Sequence, residues 1–140
     1  MTAHVDIEPG DAGELSELFA LAKGVFGAES GWDDRRALEA LEDDTLFVAR
    51  VEGSVAGYVA LRPGKSRVRI EQLLVAPHHE GEGVGHRLLA HAEGYAISTG
   101  AEAVEIVVED DNDRALDFYR RSGFTSAGEQ LYELRLPEPG

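Results

Sequence analysis

A chain of 140 residues, 43% hydrophobic and 29% charged, fits one globular domain and leaves little room for a second. Its 27 acidic residues outnumber 13 basic ones for a net charge of −14, which excludes the broad basic face that bare nucleic acid or an anionic membrane would need. The chain has no cysteine, so disulfides, thiolate metal sites and a cysteine nucleophile are excluded.

His4 to Glu8 alternates well enough for a short first strand. Asp11 with Glu14 resembles a capping box. Leu15, Leu18, Phe19, Ala22, Val25 and Phe26 then recur at helical spacing and predict an amphipathic helix. A second, shorter helix is expected over Asp33 to Leu41. Thr45 to Val51 and Val55 to Leu61 read as strands joined by the turn Glu52-Gly53-Ser54. Arg67 to Val75 is a further strand, ended by Ala76-Pro77. Strict alternation along it puts Ile70, Gln72 and Leu74 on one face and Glu71, Leu73 and Val75 on the other. Val84, Leu88, Ala92 and Tyr95 form a helical stripe, and the β-branched run Ala103 to Val108 predicts a buried strand. Asp113 to Arg121 reads as a helix closed by Ser122-Gly123. A short strand at Phe124 to Ser126 and a last one at Gln130 to Leu136 complete the order. The expected fold is α/β: one domain over residues 1–140, with a mixed sheet of six to seven strands and about four helices on both faces.

No apolar run approaches the ~20 residues of a membrane span. Met1 to Gly10 lacks a basic region and an apolar stretch, so no signal peptide and a cytoplasmic location are expected. The acidity has two readings, which are compatible. It can reflect an acidic, salt-adapted proteome, or an acidic groove that attracts a cationic substrate. None of the five histidines makes a His-Glu-x-x-His pattern, and no metal is expected.

The densest motif is Val75-Ala76-Pro77-His78-His79-Glu80-Gly81-Glu82-Gly83-Val84-Gly85-His86-Arg87-Leu88-Leu89. A strand ends, three alternating glycines follow, and a helix begins. Glycines allow close backbone approach, and the unbonded N–H groups of the helix start favour an anion such as a pyrophosphate. The spacing is neither the dinucleotide fingerprint nor a nucleotide-hydrolase loop.

Glu80-Gly81-Glu82-Gly83-Val84-Gly85 resembles the acyl-CoA-binding motif Arg/Gln-x-x-Gly-x-Gly/Ala of the GNAT superfamily of N-acetyltransferases. Asn112-Asp113-Arg114-Ala115-Leu116-Asp117-Phe118-Tyr119-Arg120-Arg121-Ser122-Gly123-Phe124 resembles that family's Asn-x-x-Ala-x-x-Phe-Tyr-x-x-x-Gly-Phe segment. The element order fits the family from Val5 to Leu136. One departure stands out. Glu80 replaces the usual Arg or Gln, and Glu82 stands where a basic residue is frequent. Each carboxylate would repel a pyrophosphate at ~4–8 Å by about 0.5–1 kcal/mol in a well-solvated loop, and salt would screen it.

The resemblance implies acetyl-CoA as co-substrate, no metal, and transfer of an acetyl group to a primary amine by direct attack. It implies cofactor contacts at Leu73, Leu74, Val75, Glu80, Gly81, Glu82, Gly83, Val84, Gly85, His86, Asn112 and Tyr119. In this family the strand before the loop and the strand from Ala103 part, so that backbone groups around Leu73 to Val75 meet the pantetheine arm. Tyr119 is the expected acid toward the leaving sulfur. Glu71, a carboxylate in a mostly apolar strand, is the expected base. Trp32 and Glu29, between the first two helices, are expected to hold a cationic small-molecule or peptide amine. A homodimer is compatible with the resemblance. The alternative is a non-catalytic module of the same fold that binds CoA or a protein partner.

Overall fold

The computed structural model describes residues 5–10, 45–76, 79 and 81–137. The two expected N-terminal helices, with Glu29 and Trp32, lie outside the described residues, as does Glu80. The described strands are β1 (Val5–Pro9), β2 (Thr45–Val51), β3 (Ser54–Pro63), β4 (Arg67–Val75), β5 (Ala103–Val107), β6 (Thr125–Gly128) and β7 (Leu131–Arg135). Two helices are described, α1 (Val84–Ser98) and α2 (Asp113–Arg121). The strands form one seven-stranded sheet in the order β1-β2-β3-β4-β5-β7-β6. Every neighbouring pair is antiparallel except β4 and β5. That parallel pair needs a crossover, and α1 is its helix.

β2 and β3 are nearly continuous runs of apolar residues, and both faces of the sheet are buried there. One face carries Phe47, Ala49, Val59, Leu61, Val68, Ile70 and Val104, packed with Leu88, Leu89, Ala92 and Ala96 of α1. The other carries Leu46, Val48, Tyr58, Ala60 and Leu74, each at most 8% exposed. The stripe on α1 recurs every three to four residues, which is why one helix face can cover the sheet.

The alternation expected for β4 is broken. Ala60 pairs with Gln72 but Leu61 pairs with Ile70, so Glu71 is an extra residue in β4, a β-bulge. The bulge shifts the phase of the strand by one. Leu73 and Val75 therefore join Val68 and Ile70 on the α1 face, while Leu74 turns to the opposite face. Ile70 and Leu74 thus lie on opposite faces, because the period-2 rule holds only within an uninterrupted ladder.

Gly57 lies beside this strand, paired with Val75. A Cβ there would stand 2.4 Å from the Leu74 carbonyl oxygen and 3.2 Å from the Val75 Cα. Both are backbone atoms and cannot swing aside. Gly57→Ala is expected to destabilise the fold by about 2–3 kcal/mol, the upper range for overpacking, measured by denaturant unfolding. A loss under about 0.5 kcal/mol would mean that β3 and β4 can separate at no cost.

Candidate functional site

β4 and β5 pair only through Arg67 with Ala103, Val68 with Val104 and Arg69 with Glu105. From Ile70 onward β4 keeps its ladder to β3, and β5 keeps its ladder to β7. A gap therefore opens between two central strands. The Ala76 N–H donates to the Ala56 carbonyl at 2.7 Å. Hydrogen bonding alternates along an antiparallel ladder, and the register from Gln72 to Val75 is unbroken. The amides of Gln72 and Leu74 thus face β3, and those of Leu73 and Val75 face the gap. Of the three expected backbone contacts, Leu73 and Val75 are available there, whereas Leu74 is used within the sheet.

The glycine loop closes the mouth of this gap. Gly81 and Gly83 adopt φ of +83° and +82°, a left-handed conformation that only glycine takes at little cost. Among the described residues, no atom beyond the chain neighbours lies within 4 Å of a Cβ built at either position. The first helical bond of α1 runs from the Arg87 N–H to the Gly83 carbonyl at 3.1 Å. This leaves the N–H groups of Val84, Gly85 and His86 without a helical acceptor. The Val84 side chain is buried at 1% exposure and anchors the turn. Gly85 differs from the other two glycines. Its Cβ position faces Phe118 at 3.4 Å and Val75 at 3.6 Å, so this glycine lets α1 sit close to α2. Glu82 does not stand alone against an incoming anion, because its Oε2 accepts a hydrogen bond from His79 Nδ1 at 2.8 Å.

α2 brings an aromatic cluster to the same end. Its Ncap is Asn112, whose Oδ1 accepts from the Ala115 N–H at 3.2 Å. The cap fixes the start of a helix that presents Phe118 and Tyr119 inward. Phe118 packs on His86 at 4.7 Å between ring centres and on Tyr119 at 5.0 Å. Tyr119 packs edge-on against Phe124 at 5.3 Å. Val75, Gly85, His86, Phe118 and Tyr119 thus form one continuous set of contacts at the open end of β4. The role of Phe118 in joining the two motifs escaped sequence reasoning, although it sits inside the second motif. Tyr119 is only 5% exposed. Its hydroxyl finds no hydrogen-bond partner among the described residues. Burial pushes its phenol above the ordinary tyrosine value.

Glu71 lies elsewhere. It lines a groove of about 440 Å³ along the β3–β4 turn, with Arg62, Lys65, Arg69 and Glu105. Arg62 Nη1 stands 3.6 Å from Glu71 Oε1. Arg69 donates to the buried Glu105 from Nη2 at 2.5 Å and from Nε at 3.1 Å. This pair locks the last rung before the gap, and sequence reasoning missed it because its partners are far apart in the chain. Glu71 and Tyr119 are not in contact. Glu71 is two residues past the last β4–β5 rung, whereas Tyr119 packs with Phe118 and Phe124. Arg121 pairs with Asp117 at 3.1 Å, and Arg120 stands over the Tyr132 ring at 5.8 Å. No group of three or more potential metal ligands occurs among the described residues. No described helix is long and apolar enough to cross a membrane.

A buried hydroxyl without a partner costs stability. Tyr119→Phe is therefore expected to leave unfolding stability unchanged or to raise it by about 1 kcal/mol, measured by urea denaturation. A loss above about 1 kcal/mol would show that the hydroxyl serves the fold.

The profile of the Acetyltransferase (GNAT) family matches residues 14–124. The chain is 34% identical over 126 residues to streptothricin acetyltransferase of Streptomyces lavendulae, covering 85% of this chain and 66% of that protein. It thus spans just under two thirds of that relative's length. The fold matches the ribosomal-protein-S18-alanine N-acetyltransferase of Escherichia coli with a TM-score of 0.84 at 16% identity, covering 98% of this chain and 97% of that one. It also matches a GNAT acetyltransferase of Brucella melitensis solved with acetyl-CoA, with a TM-score of 0.73 at 20% identity and coverage of 99% and 94%. With its glycine loop, parted strands and Asn112-to-Phe124 segment in place, this chain belongs to the acetyltransferase (GNAT) family.

Proposed function

We propose that the protein is an N-acetyltransferase that moves an acetyl group from acetyl-CoA to a primary amine by direct attack. The observation that carries this reading is the gap beside β4, where two unused amides, a glycine cradle and an unpartnered buried hydroxyl converge. These groups fit acetyl-CoA. The N–H groups of Val84, Gly85 and His86 would hold the pyrophosphate, and the amides of Leu73 and Val75 would meet the pantetheine arm and the thioester. Asn112 keeps its amide NH2 for the same arm while its oxygen caps α2.

Acetyl-CoA supplies an activated thioester when bound. The residues supply orientation and proton control. The Leu73 or Val75 N–H donates to the carbonyl oxygen as negative charge builds on it. Glu71 accepts the amine's proton at a carboxylate oxygen. The Tyr119 hydroxyl gives its proton to the departing sulfur. Burial pushes this phenol above its ordinary range, so it holds its proton throughout the physiological pH range.

Three measurements test the reading. Gly83→Val places a β-branched residue at a φ of +82°, which costs about 1–2 kcal/mol of stability and fills the space the phosphates need. It is expected to stay folded and to lose acetyl-CoA binding in calorimetric titration. Normal affinity would put the cradle elsewhere. Tyr119→Phe is expected to lower turnover by ~10²-fold with little change in acetyl-CoA affinity, whereas parental turnover would remove Tyr119 from the chemistry. In the parent, turnover should show no loss centred near pH ~10, the ordinary tyrosine value, since the folded phenol titrates above it. An alkaline fall centred there and absent from Tyr119→Phe would keep Tyr119 as the acid but show that burial does not raise its phenol.

A further inference from the structure

In a regular strand consecutive side chains point to opposite faces. The bulge in β4 suspends that rule and sets a carboxylate and a carboxamide side by side. Ile70 pairs with Leu61, and both belong to the core on the α1 face. Arg69 pairs with Arg62, so these two belong to the other face, where Glu71 joins them in the groove along the β3–β4 turn. Gln72 pairs with Ala60 and reaches that same face, because the Tyr58 hydroxyl donates to its Oε1 at 2.5 Å. Glu71 and Gln72 are consecutive, with Cα atoms about 3.8 Å apart. They immediately precede Leu73, whose amide faces the gap.

The Gln72 carboxamide is held in one orientation. Tyr58 is 0% exposed, and a buried phenol needs a partner. Burial pushes this phenol above its ordinary value, so the hydroxyl keeps its proton and donates, and the oxygen of Gln72 accepts. The half-buried Gln72 side chain makes no other hydrogen bond among the described residues. Its NH2 therefore has both hydrogens to offer. Glu71 meets Arg62 through Oε1 at 3.6 Å, and its Oε2 has no partner among the described residues.

We infer that Gln72 is an acceptor-binding residue, and that the amine acceptor carries a hydroxyl or carbonyl oxygen on the carbon next to the one that bears the amine, as amino alcohols and amino amides do. The amine lies against Glu71, and the oxygen takes a hydrogen bond from the Gln72 NH2. Tyr58 is the positioning residue that aims this NH2. Nitrogen and oxygen on neighbouring carbons are a few ångströms apart, a span that two consecutive residues on one face can bridge. A plain alkylamine would satisfy Glu71 and leave the Gln72 donors unpaired, which is how a site rejects an analogue that lacks one polar group. This inference rests on the transferase reading and on Glu71 as its base.

The test compares ethanolamine and glycinamide with propylamine, in the full chain with saturating acetyl-CoA. The amines differ in basicity, so the quantity read is the change in the oxygenated-over-alkyl ratio of kcat/KM between parent and variant. Gln72→Met keeps the length of the side chain without its N–H groups, and it is expected to lower that ratio by about five- to tenfold. It also strips the Tyr58 hydroxyl of its partner. The double variant Tyr58→Phe with Gln72→Met removes both groups, keeps the fold if the single variant does not, and is expected to lower the ratio equally. Tyr58→Phe alone is expected to lower it by a smaller factor, whereas a loss of packing would slow all three amines alike. The same amines are titrated into labelled protein saturated with CoA while the side-chain NH2 resonances of Gln72 are followed. Shifts that saturate with ethanolamine and glycinamide but not with propylamine support the site even if no amine is acetylated, and in that case the transferase reading fails alone. A ratio that neither Gln72 variant changes, or resonances that stay fixed or move alike with all three amines, overturns the role of Gln72. Acetylation in the same samples then leaves the transferase reading standing.

Discussion

Everything at the candidate site depends on how briefly β4 and β5 pair. Three residue pairs hold them together, and the last, Arg69 with Glu105, is reinforced by two hydrogen bonds between their side chains. Beyond that rung each strand keeps only its outer neighbour. In most sheets an unpaired stretch of central strand would leave buried donors and acceptors unmatched, at a cost of about 1–3 kcal/mol each. The sheet tolerates the opening because it reaches the surface at the glycine loop.

The parting and the bulge act together. An extra residue at Glu71 bends β4 and strengthens its twist. It also resets which side chains meet α1, so that Leu73 and Val75 help to close the core while their amides face the gap. A strand without the bulge would pair the wrong set of residues with α1. The helix starts carry the rest. α1 begins at a left-handed Gly83, and α2 at the capped Asn112. Packing of Phe118 on His86 and against Gly85 fixes the two helices relative to each other. The glycine loop and Tyr119 are therefore parts of one packed unit, which the proposed transfer chemistry would use as a pre-organised site.

Much of this was legible in the sequence because the signals were local. β2, β4 and α2 have the boundaries that periodicity and caps predict, Thr45–Val51, Arg67–Val75 and Asp113–Arg121. The glycine loop and the cap at Asn112 declared themselves by residue type. What stayed hidden is non-local. The bulge at Glu71 exists only by reference to its partner strand, since neither Glu71 nor its neighbours has turn chemistry. The Arg69–Glu105 pair and the unpartnered Tyr119 hydroxyl depend on which elements become neighbours. Glu82 looked like a simple repulsive charge in the sequence and proves to be held by His79. Charge patterning over the whole chain also concealed a cationic hairpin, because an overall count averages away four basic residues within eight positions.

The central claim is that the amides of Leu73 and Val75 are kept free of the sheet in order to meet the thioester arm. Hydrogen exchange of these amides, followed by NMR with and without acetyl-CoA, tests it most directly. The account predicts that Leu73 and Val75 exchange faster than Leu74 in the free protein and become protected, with large shifts, once acetyl-CoA is added. Equal protection of all three amides in the free protein, or no change at Leu73 and Val75 on saturation with acetyl-CoA, would contradict it.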